Sequence, residues 1–253
     1  LTYLTWQNIL SIYAAVPIFL AFLVYWAFQN IGKSTNSEAV DDQVTGKGRF
    51  AQTMDILKNP LVLWITFVGG IRGMAFIALL TFLPFFFDEV LGMSKFERSW
   101  HFGLLVAVGI VSTPFMGYLS DRFGRKLVIV PGMIFLGIVV FVISFFDSGS
   151  TRDSIAIIIL LALLGTFFYS DQPILTAAAL DIVGSGVATT TLGTLSFARF
   201  ILSAMSPIIA GFLYDNYSMD YVFYYVSGLM ILGAIILLVI PLKPPVRSAS
   251  HHH

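Results

Sequence analysis

Three charged side chains lie deep inside apolar stretches of the sequence: Arg72, Asp171 and Arg199. Burying a charge in a membrane costs at least about 2.5 kcal/mol on insertion scales, so each of them needs a partner or a function. Arginine stays protonated and offers paired donors that fit a carboxylate or a phosphate. An aspartate at the same depth could take up and release a proton. The residues therefore indicate anion binding, coupled to protonation, inside a membrane.

The three charged residues lie at similar depths. Counted from the nearer polar end of its apolar segment, each is about 8 to 11 residues in, or roughly 12 to 17 Å along a helix. We interpret Asp171 and Arg199 as an ion pair between neighbouring helices, either structural or responsive to a ligand. Arg72 has no acidic residue at its level, which leaves an anionic substrate, a residue beyond this sequence, or the carbonyls beside Gly69 and Gly70 as its partner.

Several polar side chains on the same segments could add hydrogen bonds to a ligand: Tyr169, Gln172, Thr176 and Ser196. Pro173 follows Asp171 and Gln172, and because proline has no N–H group it leaves a carbonyl one turn earlier unpaired beside a charge and an amide. Gly69 and Gly73 have a spacing that is more typical of helix packing than of chemistry. We therefore predict a polar site around Asp171 and a packing role for the two glycines.

A second cluster of charge occurs in the stretch GYLSDRFGRK, residues 117–126, between two apolar runs. It contains two glycines, which permit close approach and a tight turn, and four charged residues. Charge pairs at a membrane boundary are individually weak, so they can break and reform. The stretch therefore indicates charge contacts at the boundary between membrane and water. Its distinctive residues are Gly117, Asp121, Arg122, Gly124, Arg125 and Lys126.

The composition places these residues in a membrane protein. Hydrophobic residues make up 57% of the chain and charged residues 11%, whereas charged residues are roughly 25% of a typical soluble domain. A membrane helix needs about 20 mostly apolar residues. Seven segments meet this condition, at residues 9–28, 61–87, 100–119, 127–146, 155–180, 191–214 and 221–242.

The distribution of polar residues predicts the order of domains. We expect a membrane helix at 1–28, a polar linker with a short interfacial helix at 29–60, a six-helix bundle at 61–242, and a tail ending in a tag remnant at 243–253. Lysine and arginine concentrate in the linker, the 117–126 loop and the tail, which places all three on the cytoplasmic side. The chain contains no cysteine, so it has neither disulfides nor a thiol site.

The pattern G-x-x-x-D-R-x-G-R-K resembles the signature loop of the major facilitator superfamily. The resemblance implies an all-α, multi-pass protein of the plasma (inner) membrane that works by alternating access. It implies that this chain corresponds to helices six to twelve of such a transporter, with the first five helices as a missing partner. It also implies a gating latch, in which Arg125 reaches Asp181 and Asp121 faces the missing half.

The resemblance places the intramembrane charges on helices that line a central cavity. It implies substrate contacts from Arg72, Arg199 and the four polar side chains above, and coupling through Asp171, with protons as a coupling ion. We expect a small-molecule substrate and lipid as further partners, and no cofactor, metal or nucleic acid. The sequence favours a small organic anion as the substrate. The alternative is a proton-coupled exporter of amphipathic drugs or lysolipids, which the phenylalanine-rich cavity would suit.

Two other classes of membrane protein fit the sequence less well. A retinal protein needs a lysine inside a membrane helix, and every lysine here lies in a linker, loop or tail. An intramembrane enzyme would need a catalytic motif, and neither H-E-x-x-H nor G-x-S-x-G is present. No pair of intramembrane aspartates could share a proton. We therefore expect a transporter and not an enzyme.

Overall fold

The computed structural model describes residues 6–31, 58–146, 155–183 and 188–241. Helix α1 (Trp6–Ile31) belongs to a compact unit separate from the one that holds the later helices, and it contains an apolar stretch, Tyr13–Ala27. The predicted linker at 29–60, with its interfacial helix, lies almost wholly outside the described residues. The tail at 243–253 lies outside them as well.

All regular secondary structure in the described residues of the second unit is helical. Six spans in it are long and apolar enough to cross a membrane, as the sequence predicts. The helices are α2 (Pro60–Phe85), α3 (Lys95–Phe123), α4 (Arg125–Ile143), α5 (Ile155–Phe168), α6 (Asp171–Val183), α7 (Ala188–Asn216) and α8 (Met219–Val239). Helix α2 is followed directly by a π-helical turn, Phe86–Val90, and α5 and α6 together form one span.

The helix boundaries follow from local chemistry. Helix α3 begins five residues before the predicted start because Ser94 and Glu97 form a capping box, in which the Ser94 N–H donates to the Glu97 carboxylate over 2.6 Å. It ends at Gly124, whose φ of 104° is open to glycine but strained for other residues. The tight turn predicted at this glycine is therefore confirmed.

The predicted fifth segment is divided in two at Tyr169 and Ser170. Pro173 cannot donate to the Tyr169 carbonyl, and the Ser170 N–H instead reaches back to the Phe167 carbonyl over 3.1 Å. The Ser170 hydroxyl adds a hydrogen bond of 2.8 Å to the Thr166 carbonyl. The break interrupts the regular backbone hydrogen bonds of the helix in the middle of a membrane span, so carbonyls there can accept from side chains.

Several glycines lie where two helices pack closely against each other. A side chain added at Gly73 would lie 2.2 Å from the Ser203 Oγ of α7, and one added at Gly165 of α5 would lie 2.6 Å from the Leu105 carbonyl of α3. Such contacts let helix backbones approach each other in a membrane. The packing role predicted for Gly73 is confirmed. Gly69 packs less tightly, since a side chain added there would lie 3.4 Å from the Leu175 side chain of α6.

Burial differs sharply among the helices. In the most apolar part of each span, 11% of the residues are buried in α3 and 17% in α7. The corresponding share is 56% in the span that contains α2. Helices α2, α4 and α8 therefore form the core. The uncovered faces of α3 and α7 carry large apolar side chains, among them Ile110, Val111, Phe115, Phe197, Phe200, Ile201 and Ile208.

Candidate functional site in the membrane spans

Arg72 of α2 forms a buried ion pair with Asp171 of α6. Its Nε donates to Asp171 Oδ2 over 2.9 Å, and its Nη2 lies 2.6 Å from Oδ1. Each side chain is only 3% exposed. Nη1 donates to the Gln172 side-chain oxygen over 2.8 Å, and Nη2 donates to the Phe168 carbonyl over 2.7 Å. The guanidinium thus joins α2 to both sides of the helix break.

The helix break explains why this arrangement forms. In an uninterrupted helix the Phe168 carbonyl would accept a hydrogen bond from the backbone N–H four residues later. The turn at Tyr169 and Ser170 frees that carbonyl and places Asp171 at the start of a new helix. Discontinuous helices commonly form binding sites near the bilayer midplane. The polar site predicted around Asp171 is therefore built from the break itself.

One oxygen of the Asp171 carboxylate is left without a hydrogen bond. Oδ1 is buried and makes no well-aligned hydrogen bond among the described residues, while Arg72 Nη2 lies 2.6 Å from it as an ion-pair partner. Buried polar atoms are rarely left unpaired, and an exception calls for an explanation. Oδ1 is a buried acceptor that could receive a proton.

Aromatic rings enclose the pair. The Arg72 guanidinium carbon lies 4.5 Å from the centre of the Phe76 ring, a cation–π distance. Phe76 stacks on Phe168 with 4.6 Å between ring centres and meets Tyr169 edge-on at 5.8 Å. These rings limit the access of water to the ion pair and so strengthen it.

Two predictions about the charges are wrong. Asp171 pairs with Arg72 and not with Arg199, and Arg72 does have an acidic partner within the chain. The sequence places all three residues at one depth, but the helix break turns Asp171 toward α2, where one guanidinium satisfies both the carboxylate and the freed carbonyl. Arg199 instead lies over the Phe200 ring, 5.2 Å from its centre.

Arg199 lines a small cavity of about 30 Å³ between α2, α6 and α7. Thr176 and Ser196, both predicted to contact substrate, line the same cavity, as does Thr66, which was not predicted from the sequence. In the described part of the chain, no carboxylate forms an ion pair with Arg199. The six predicted substrate residues thus form two groups: Arg72, Tyr169 and Gln172 at the break, and Thr176, Ser196 and Arg199 at the cavity.

The signature loop makes the contact that was predicted for Arg125. Its Nε donates to Asp181 Oδ2 over 3.0 Å, and its Nη1 forms an ion pair with Asp121 and reaches the Ser120 hydroxyl at 3.4 Å. The Asp121 side chain is 65% exposed. Asp121 was expected to face a missing half, but here it also has a partner one turn along the chain. Arg125 therefore ties together α3, α4 and α6.

The remaining loop residues have different contacts. Lys126 donates to the Leu238 and Ile240 carbonyls over 2.7 and 2.8 Å, so it caps the end of α8. The Arg122 guanidinium reaches the Tyr118 hydroxyl at 3.5 Å. A side chain added at Gly117 would meet nothing within 4 Å, so the close approach expected there does not occur among the described residues.

The opposite end of the bundle has its own polar contacts, which were not predicted from the sequence. The π-helical turn carries Asp88 and Glu89, adjacent in sequence. Asp88 pairs with Arg98 of α3, while Glu89 accepts a hydrogen bond from Tyr214 of α7. Among the described residues, no three His, Asp or Glu side chains come together as metal ligands.

An all-helical bundle with six membrane spans and a buried ion pair at a helix break defines a multi-pass integral membrane protein. The family model of the Major Facilitator Superfamily matches residues 1–207 and, in a second alignment, residues 89–252. The chain belongs to the major facilitator superfamily. Members of this family are transporters and generally not enzymes.

Curated proteins that are similar to this chain include multidrug resistance proteins. Multidrug resistance protein MdtG of Proteus mirabilis (strain HI4320) is 30% identical over 188 residues, which cover 72% of this chain and 44% of the relative. The protein of the same name from Yersinia enterocolitica is 30% identical over 174 residues, 66% of this chain and 40% of the relative. This chain therefore spans less than half the length of the relatives that it matches.

Proposed function

We propose that the chain is the C-terminal half of a secondary transporter that exports amphipathic molecules across the plasma (inner) membrane. The observation that carries the proposal is the buried pair of Arg72 and Asp171 at a helix break in a member of this family. A free Arg72 was the main argument for a small organic anion, and Asp171 now accounts for its charge. The relatives' names, multidrug resistance proteins, favour drugs over a small organic anion as substrates.

Asp171 is the proposed coupling residue. Its Oδ1 makes no well-aligned hydrogen bond, so a proton bound there would displace only the ionic contact with Arg72 Nη2. Protonation removes the negative charge opposite Arg72 and leaves the guanidinium with neutral oxygens from Gln172 and Phe168. A buried charge that loses its partner is strongly destabilised. The resulting loss of the α2–α6 contact would favour a different arrangement of the helices.

Contacts at the two ends of the bundle would open and close alternately. Arg125 joins three helices at one end, and Asp88 and Glu89 join α2 to α3 and α7 at the other. Exposed ion pairs contribute about 0 to 1 kcal/mol each, so they can exchange partners during a rocking motion. The bias of Lys and Arg supports a cytoplasmic position for Arg125, the linker and the C-terminus. Five further helices would supply the other half of the cavity.

Export can be tested in cells that lack their own exporters. The full-length protein is produced, and the loss of three preloaded fluorescent compounds is followed: ethidium (cationic), pyrenebutanol (neutral) and pyrenebutanoate (anionic). We expect at least one compound to leave faster than from control cells. Asp171→Asn should slow that export at least tenfold, since it removes the proton acceptor.

Asp215→Asn is the matched control, because Asp215 is an exposed carboxylate near the end of α7. It should export at the rate of the parent protein. Retention of all three compounds by cells with the parent protein, at the level of control cells, would contradict the proposal.

A further inference from the structure

We infer that the cavity at Arg199 binds the acidic group of an amphipathic substrate, so that the exported compounds are amphipathic acids. The inference rests on the proposed function and adds the chemical class of the substrate. The inference concerns Arg199, whereas the sequence favoured Arg72 as the main anion-binding residue. Arg72 is matched by Asp171, whereas Arg199 has no carboxylate partner among the described residues.

The walls of the cavity suit an anion. Arg199 is partly buried and supplies a guanidinium that can donate two parallel hydrogen bonds to a carboxylate. Thr66 and Thr176 also line the cavity, but each donates its only hydroxyl hydrogen to a carbonyl of its own helix, over 2.7 and 2.9 Å, so neither can donate to an anion in this arrangement. The donors that the wall offers to a bound acid are therefore the Arg199 guanidinium and the Ser196 hydroxyl. A bound acid would add the negative charge that this wall lacks.

The size of the cavity limits what can enter it. About 30 Å³ of free volume is enough for a polar group of a few atoms but not for a whole drug-sized molecule. The other lining residues are apolar: Ile65, Gly69, Leu175, Ala179, Leu192 and Leu195. The acidic group would therefore occupy the cavity while the rest of the molecule lies outside it.

An apolar surface for the rest of the molecule lies on the same helix. Phe197, Phe200 and Ile201 are 68%, 64% and 52% exposed, and the Phe200 ring adjoins the Arg199 guanidinium. An anionic head at Arg199 with an apolar body along these side chains matches the two parts of an amphipathic acid. Small hydrophilic anions would gain nothing from this surface. A lipophilic cation would be repelled by Arg199.

The test compares two ligands that differ in a single group. Pyrenebutanoate and pyrenebutanol share the pyrene ring and the four-carbon chain, and only the first is anionic. Their binding to the full-length protein in lipid nanodiscs is measured by equilibrium dialysis, with the signal from empty nanodiscs subtracted. We expect the parent protein to bind pyrenebutanoate at least tenfold more tightly.

Arg199→Gln should weaken the binding of pyrenebutanoate ten- to a hundred-fold and change the Kd of pyrenebutanol less than twofold. Arg199→Lys should restore part of the affinity, since an ammonium keeps the charge but lacks the paired donors. Lys95→Gln removes an exposed cation at the start of α3, outside the cavity, and should leave both Kd values unchanged. Thermal unfolding of each variant shows whether the fold is retained.

Three results would overturn the inference: equal affinities of the parent protein for the two ligands, equal losses of both in Arg199→Gln, or unchanged binding of pyrenebutanoate in a folded Arg199→Gln. These results are separate from a failure of the proposed function, which is an absence of export for every compound in cells. A protein that exports ethidium or pyrenebutanol but shows no preference for the acid retains the proposed function and loses this inference.

Discussion

At the scale of single residues, the central feature is the match between one guanidinium and three kinds of oxygen. Arg72 contacts the carboxylate of Asp171, the amide oxygen of Gln172 and the carbonyl of Phe168 at distances of 2.6 to 2.9 Å. Lysine could not reproduce this arrangement, because an ammonium group lacks the planar set of donors. The Arg72 guanidinium donates hydrogen bonds from all three of its nitrogens, whereas Asp171 Oδ1 accepts no hydrogen bond.

Replacing one member of the pair should cost more stability than replacing both. Arg72→Met or Asp171→Leu alone leaves a buried, unmatched charge, and we expect each to lower the free energy of unfolding by about 3 to 5 kcal/mol. The double variant Arg72→Met/Asp171→Leu should recover at least half of that loss, although it cannot couple to protons. Thermal unfolding of the detergent-solubilised full-length protein measures this. Additive losses in the double variant would show that the two residues do not interact.

The sequence could predict that Arg72, Asp171 and Arg199 matter, but not which of them pair. An intramembrane charge is visible in any hydropathy profile, and Pro173 marked the region where a carbonyl is freed. The pairing depends on the direction in which Asp171 points after the break, and the turn at Tyr169 and Ser170 sets that direction. The small cavity at Arg199 could not be predicted from the sequence either, because its walls come from three helices that are distant in sequence.

At the scale of elements, the six spans were the easiest feature to predict, and the contacts between them the hardest. Long apolar segments separated by polar loops identify membrane helices directly. The spacing of Gly69 and Gly73 indicated packing, but the backbone contact at Gly165 had no comparable signal. At that position the α3 backbone leaves no room for a side chain.

Gly165→Ala should force α3 and α5 apart. The added methyl group would lie 2.6 Å from the Leu105 carbonyl, which cannot rotate away as a side chain would. We expect a loss of about 1 to 3 kcal/mol in the free energy of unfolding. Gly103→Ala is the matched control, since nothing lies within 4 Å of that position, and it should be neutral or stabilising by about 0.5 to 1 kcal/mol. A Gly165→Ala protein as stable as Gly103→Ala would contradict the close contact of α3 and α5.

At the scale of the whole molecule, the uncovered faces of α3 and α7 are the surfaces that the proposed other half would contact. Both helices carry exposed phenylalanine and isoleucine side chains, while α2, α4 and α8 form the buried core. The chain also spans less than half the length of its curated relatives. A cavity between two halves would place Arg199 and the α3–α7 surface along the path of an amphipathic substrate.

The most direct test of proton coupling is transport into inverted membrane vesicles that contain the full-length protein. The compound exported best by cells is supplied outside, and its accumulation is measured with and without an imposed proton gradient. We predict that the gradient drives accumulation by the parent protein and by Asp215→Asn. Asp171→Asn should lose the gradient-driven accumulation while still exchanging labelled for unlabelled compound. Accumulation by Asp171→Asn that responds to the gradient as in the parent protein would contradict the account.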